Sequence, residues 1–147
     1  MYRIGVSGDT AGLWAELERI TQSRGASYKV SGFDPLTRYD ILLFHEKPAD
    51  FHASSTNILL LNSDEPAIAD VTERVKANLV ISYGFNSKAS ITASSIDRGS
   101  CCVCVQRGFR TITGEPQERQ EFTVTTGSPH LTLAAVSVGL AMNACNW

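Results

Sequence analysis

The chain has 147 residues, 43% of them hydrophobic and 19% charged, with a formal net charge of −2 and a sequence pI near 5.9. That length suits one domain with a sizeable core, and the composition is that of a globular rather than a disordered chain. No basic footprint points to nucleic acid, and no apolar run approaches the ~18 residues of a membrane span.

Met1-Tyr2-Arg3-Ile4-Gly5 enters an apolar strand without the charged lead and cleavable core of a secretion signal, so a cytoplasmic location is expected. Residues 2–7 read as that strand. Gly8-Asp9-Thr10 is a turn, with Asp9 or Thr10 available to cap a helix over 11–23. Leu13, Leu17 and Ile20 give this helix an apolar side, and Gly25 closes it. Residues 26–33 form a short second strand, and Asp34-Pro35 marks a turn. The third strand, YDILLFHE at 39–46, has a continuous apolar centre that predicts burial on both faces.

NILLLN, 57–62, is another buried strand. Ser63-Asp64-Glu65-Pro66 then starts a helix to about Val75, with Ser63 or Asp64 as its cap and Pro66 in its first turn. The next strand spans 78–84. Beyond it, 89–97, 100–107 and 120–127 read as antiparallel strands, with turns at Arg98-Gly99 and Gly114-Glu115-Pro116. Residues 129–145 close the chain as a helix apolar enough to be largely buried. The order predicts a single domain over 1–147: an α/β fold with a mostly parallel sheet, a C-terminal antiparallel hairpin extension and a closing helix.

Of the four cysteines, Cys101, Cys102 and Cys104 crowd one apolar strand and Cys145 lies near the end. Cys102 and Cys104 share a strand face and Cys101 points the other way. No second CxxC pair or downstream histidine spacing completes a zinc site, so they read as reduced, small hydrophobes and no metal is expected. Trp14 and Trp147 read as core or interface residues. Lys88, in the turn Gly84-Phe85-Asn86-Ser87-Lys88, reads as a solvated charge, and Gly84 as a backbone requirement where the chain leaves the sheet.

The segment IGVSGDTAGLW sits where nucleotide-binding folds place a phosphate loop, between a first strand and its helix. It resembles the opening G-V-T-G-T-N-G-K-T-T segment of the central domain of the Mur ligases, which join amino acids to cell-wall precursors using ATP, and of the related folylpolyglutamate synthases. Gly5, Val6 and Gly8 match, and Ser7 stands for the first threonine. Gly12 then occupies the lysine position, Leu13 the magnesium-binding threonine position, and Asp9 sets a negative charge beside the loop. Glycine gives no charge to a γ-phosphate and leucine cannot ligate magnesium, yet phosphoryl transfer depends on that stabilisation. LLLNSDEP, 59–66, resembles the family's V-L-N-A-D-D-P stretch at Asn62, Asp64 and Pro66, with Glu65 for the second aspartate. HLTLAAVSVGLAMNA resembles the family helix that begins His-Asn-x-x-Asn, but only Ala134-Ala135 fit; Leu131 and Ser128 take the asparagine positions and His130 leaves the histidine register.

The resemblance implies a P-loop-type sheet topology and a truncated, degenerate relative of a bacterial enzyme domain. Gly8, Asp9, Thr10, Gly12, Asn62 and Asp64 are the nucleotide-binding candidates it suggests. His45, Glu46, Asp50 and His52 cluster in sequence and are weaker candidates for metal or acid–base work, Asp50 and His52 resembling the family's D-H-L-D-x-H segment; the plain reading of that loop is a solvated one. No G-x-S-x-G supports nucleophilic hydrolysis. The leading expectation is a non-catalytic binding or interaction module linked to cell-envelope metabolism, without a cofactor. The absence of the ligases' flanking domains suggests a homo-oligomer or a protein partner. One alternative is an ATP-Mg-dependent amide ligase using Asp64, His45 and a divalent ion. Another is a sensor of a small anionic ligand at Gly8–Gly12.

Overall fold

A computed structural model describes residues 1–21 and 27–144. Gly25, Cys145 and Trp147, and the ends of the first and last predicted helices, lie outside the described residues. The elements in chain order are β1 (Tyr2–Ser7), α1 (Thr10–Thr21), β2 (Tyr28–Gly32), β3 (Tyr39–Phe44), β4 (Ser54–Asn62), α2 (Ala69–Thr72), β5 (Val75–Tyr83), β6 (Ile91–Asp97), β7 (Ser100–Val105), β8 (Phe109–Arg110), β9 (Pro116–Gln117), β10 (Gln120–Thr125) and α3 (Pro129–Ala141).

Eight strands form one mixed sheet in the order β10-β7-β6-β5-β4-β3-β1-β2, and β8 and β9 form a small second one. β2, β1, β3, β4 and β5 run parallel, and β6, β7 and β10 form the antiparallel extension. β6 joins β5 through the single parallel pair Tyr83↔Ile91. It therefore starts beside the end of β5, and the antiparallel half stands out past the carboxyl edge of the parallel half.

β3 lies mid-sheet, and Ile41, Leu42, Leu43 and Phe44 are fully buried, as its unbroken apolar run predicts for a strand covered on both faces. On one face lie α1 and α3. α3 is apolar all round and buried from Thr132 to Ala141, because the sheet, α1 and the β8–β9 hairpin all cover it. The hairpin is tied to its end through Ile112 N–H donating to the Ala141 carbonyl (2.8 Å). On the other face no long helix is present among the described residues. There Phe33 and Phe51, from the loops after β2 and β3, pack edge-on against Phe44 with Ile68 and Val71 beneath. Past β4 that face is open, and Val80 on β5 is 55% exposed. No helix of the described residues is long and apolar enough to cross a membrane.

Several boundaries differ from the sequence reading. The helix predicted from 63 to 75 is reduced to the single turn Ala69–Thr72, because Ser63 and Asp64, its expected caps, are held by the end of β5 and the loop after it. β4 and β5 each begin three residues early, since Ser54–Thr56 pair with Val75–Ala77. Trp14 is half exposed on α1, its indole N–H donating to Glu18 (3.2 Å), rather than sitting in the core.

The connection from β2 to β3 must cross β1, and Gly5 makes the crossing close. A Cβ there would lie 2.7–2.8 Å from three ring carbons of Tyr39. The Tyr39 hydroxyl accepts from Asp34 N–H (2.8 Å) and donates to the Gly32 carbonyl (3.1 Å), so the ring cannot swing aside without losing both. Gly5→Ala is expected to lower stability by about 1–3 kcal/mol, as overpacking does. Urea unfolding checks this, and an unchanged midpoint would contradict it.

Candidate functional site

Ligands of open α/β sheets sit outside the carboxyl ends of the parallel strands, so that edge is where the site is sought. β1 ends at Ser7, and Gly8 takes φ +135°, a conformation open to glycine and avoided by L side chains, to feed the chain into α1. Asp9 then caps the helix. Its Oδ1 accepts from Gly12 N–H (2.9 Å) and its carbonyl from Leu13 N–H (3.0 Å). A Cβ on Gly12 would fall 2.2 Å from Asp9 Oδ2, so the glycine leaves room for the carboxylate. A helix N-terminus is a natural anion site, and here the chain's own carboxylate fills it. The Thr10 hydroxyl turns back to the Gly8 carbonyl at 3.5 Å.

The ends of β4 and β5 repeat the device. Asp64 accepts from Phe85 N–H (2.6 Å), Asn86 N–H (3.2 Å) and the Asn86 amide (3.0 Å). Gly84 lets the carboxylate approach, since a Cβ there would lie 2.8–2.9 Å from Ser63 Oγ and the Asp64 carboxyl. Ser63 Oγ donates to the Tyr83 carbonyl (3.1 Å) and accepts from Asn86 Nδ2 (2.7 Å). Asn62 ties the neighbouring strand end in, with Nδ2 donating to the His45 carbonyl (2.9 Å) and Oδ1 accepting from Asp64 N–H (3.0 Å). Burial alone would raise the Asp64 carboxyl. The hydrogen bonds from Asn86 and Phe85 and the nearby His130 outweigh it and hold the group below its ordinary 3.8.

His45, just past β3, meets Tyr83 across the sheet, Nδ1 to hydroxyl at 2.6 Å with the rings parallel. Tyr83 is 1% exposed, and burial pushes its phenol well above 10, so it keeps its proton. Burial also lowers His45, with His130 adding to the effect and Glu46 and Asp9 opposing it. The direction of the His45–Tyr83 bond follows the imidazole tautomer: the Tyr83 O–H donates to a bare Nδ1, or the Tyr83 oxygen accepts from Nδ1–H. His130, at the start of α3, stands edge-on to Phe85 at 4.6 Å.

The structure therefore gathers Gly8, Asp9, Thr10, Gly12, His45, Asn62 and Asp64 along one edge, with Glu46 close enough to act on His45. It sets His52 apart from them, beside Arg74, which precedes β5 at the opposite edge; Asp50 pairs with Arg74 and also lines the pocket that Gly8 and Thr10 line. Tyr83, Phe85 and Asn86, which complete the arrangement, carry no local signal beyond a polar-tipped aromatic ending a buried strand. Among the described residues no group of three or more His, Cys, Asp or Glu is placed to hold a metal ion. Cys101 is buried, and Cys104 on the open face lies 3.8 Å from Glu121. Beside the first turn, a pocket of about 300 Å³ opens between β1, the end of β2 and the loop at 48–51.

No family model matches the chain, and no curated protein matches it.

The His45 shift sets a pH dependence. The unfolded chain titrates near the ordinary 6.5 and the folded one lower, so between the two the unfolded state binds the extra proton. Stability should fall as pH drops below about 6.5 and through the folded value. The Asp64 contribution is present above 3.8 and is lost only below it. Urea midpoints from neutral to mildly acid pH should decline in the parent and flatten in His45→Gln; identical slopes would contradict this role.

Proposed function

We propose that the chain is a non-catalytic ligand-binding or interaction module, a degenerate relative of the Mur-ligase central domain, with a P-loop-type ancestry in its first turn. The observation that carries this reading is the Asp9 carboxylate on the first turn of α1, seated against Gly12. A triphosphate entering there meets a like charge and must break a helix cap worth about 1 kcal/mol. Displacing Asp9 would still supply no lysine for the γ-phosphate and no hydroxyl for magnesium, because Gly12 and Leu13 hold those positions. Asp64 is likewise committed to the loop after β5, which leaves it no free role in an ATP-dependent ligase. The same two carboxylates disfavour a sensor of small anions.

The link to cell-envelope metabolism comes from the resemblance. Association with a second copy or another protein belongs to the same proposal, supported by the open face of β5 with Val80 exposed. A cytoplasmic setting fits it.

Thermal unfolding with millimolar ATP-Mg tests the reading. A ligand at a hundredfold excess over its Kd adds about 2.7 kcal/mol to stability. The expected result is no change in Tm, and a magnesium-dependent rise would overturn the reading.

A further inference from the structure

β5 carries an unpaired edge in the middle of the sheet. On one side it pairs with β4 from Ser54↔Val75 to Asn62↔Tyr83, but on the other it meets β6 only at Tyr83↔Ile91. From Val75 to Ile81 no backbone bond joins β5 to a described residue on the β6 side. Gly84 N–H donates to the Ile91 carbonyl (3.1 Å), and the two-residue period of a strand turns the N–H and C=O of Val80, Asn78 and Lys76 toward that same side. All three residues are exposed. Sheet edges are usually guarded by proline, bulges or several charges; Val75–Ile81 has no proline and one charge, Lys76. Beside the edge, a cavity of about 390 Å³ lies between Ile58 and Leu79 of the sheet and Arg110, Thr111 and Ile112 of the β8–β9 hairpin. The charges along it are positive. Arg110 Nη1 donates to the Gly114 carbonyl (3.0 Å), a neutral partner, and neither Arg110 nor Lys76 is in an ion pair among the described residues. No carboxylate lines the cavity, and Glu115 in the hairpin turn accepts from Asn143 Nδ2 (3.0 Å).

We propose that β5 accepts one further strand along Val75–Ile81: an extended segment of a partner protein in which apolar residues alternate with polar ones, acidic residues among them. Main-chain donors and acceptors at strand spacing recognise another extended backbone. The side chains of such a guest point alternately to the two faces. One set enters the cavity against Ile58, Leu79 and Ile112, the other covers Val80 on the open face, and a carboxylate meets Arg110 or Lys76. The hairpin walls the far side of the cavity, which leaves width for one strand and not for the flank of a second sheet, whose β4 would follow its β5. The proposal rests on the reading of the chain as an interaction module and names its docking surface and the class of its partner.

The test uses three end-blocked peptides: Glu-Val-Thr-Leu-Thr-Val-Glu, the same sequence with lysine for both glutamates, and the glutamate peptide N-methylated at its three central residues. Each is titrated into the isotope-labelled chain while the amide signals of Asn78, Val80 and Ile112 are followed. The glutamate peptide should shift these signals in a saturable way and slow the hydrogen exchange of Asn78 and Val80. The lysine peptide should bind about tenfold more weakly or worse, the cost of like charges close by. The N-methylated peptide, which keeps the side chains and loses the ladder, should not bind. Arg110→Glu, at an exposed position, should erase the preference for glutamate. A silent glutamate peptide, equal binding of the N-methylated one, or a preference indifferent to Arg110→Glu would each overturn the proposal. Concentration-dependent shifts of the same amides without peptide, together with a dimer in sedimentation, would overturn it too, because the edge would then belong to a second copy. ATP-Mg in the same titration keeps the two readings apart: magnesium-dependent ATP binding overturns the non-catalytic module whatever the peptides do, whereas silent peptides with silent ATP overturn only the strand-docking edge.

Discussion

A backbone N–H that ends a strand or begins a helix needs an acceptor, and at the carboxyl edge of this sheet the acceptor is a carboxylate of the chain itself. Asp9 supplies it to the first turn of α1, and Asp64 to the loop after β5. Each carboxylate reaches its donors only because a glycine stands where a Cβ would collide with it, Gly12 in one case and Gly84 in the other. The two turns that look most like anion cradles are thus internal contacts that fix strand ends to one another. These contacts are exposed to solvent, so each contributes on the order of the ~1 kcal/mol of a helix cap rather than the cost of a buried unpaired donor.

The sheet topology explains why this edge is so heavily bonded. With α1 and α3 on one face and mainly loops on the other, no second helical layer of the kind that usually braces a doubly wound sheet is present among the described residues. The loop ends are instead tied laterally: Asn62 to His45, His45 to Tyr83, Asp64 to Phe85 and Asn86. The step of β6 past the end of β5 adds a wall on one side, where Phe85 meets His130 from α3. What is left open is the other end of the edge, beside β1 and β2, where a pocket of about 300 Å³ lies.

Much of the fold was legible in the sequence because it rests on local pattern. β1, β3 and β7 follow apolar runs or alternation, the β6–β7 turn falls at Gly99 with φ +70°, and Gly114 at φ +87° marks the β8–β9 turn. The misses share a cause. Ser63 and Asp64 look like caps but spend their polar atoms on residues about twenty positions away. Ser54–Thr56 look like loop but are paired into the sheet. At the site, the Asp9 cap could be read from its neighbours, whereas the partners of Asp64 and His45 lie 21 and 38 residues off, where no periodicity connects them.

The most direct measurement is an acid titration of the amide signals of Phe85 and Asn86 by NMR, repeated at neutral pH with inorganic phosphate added. If the Asp64 carboxylate fills that loop, both amide signals move together with a midpoint below the ordinary 3.8 and stay still when phosphate is added. Amides that ignore the carboxyl titration, or that shift saturably with phosphate, would show a loop open to outside anions and contradict the account.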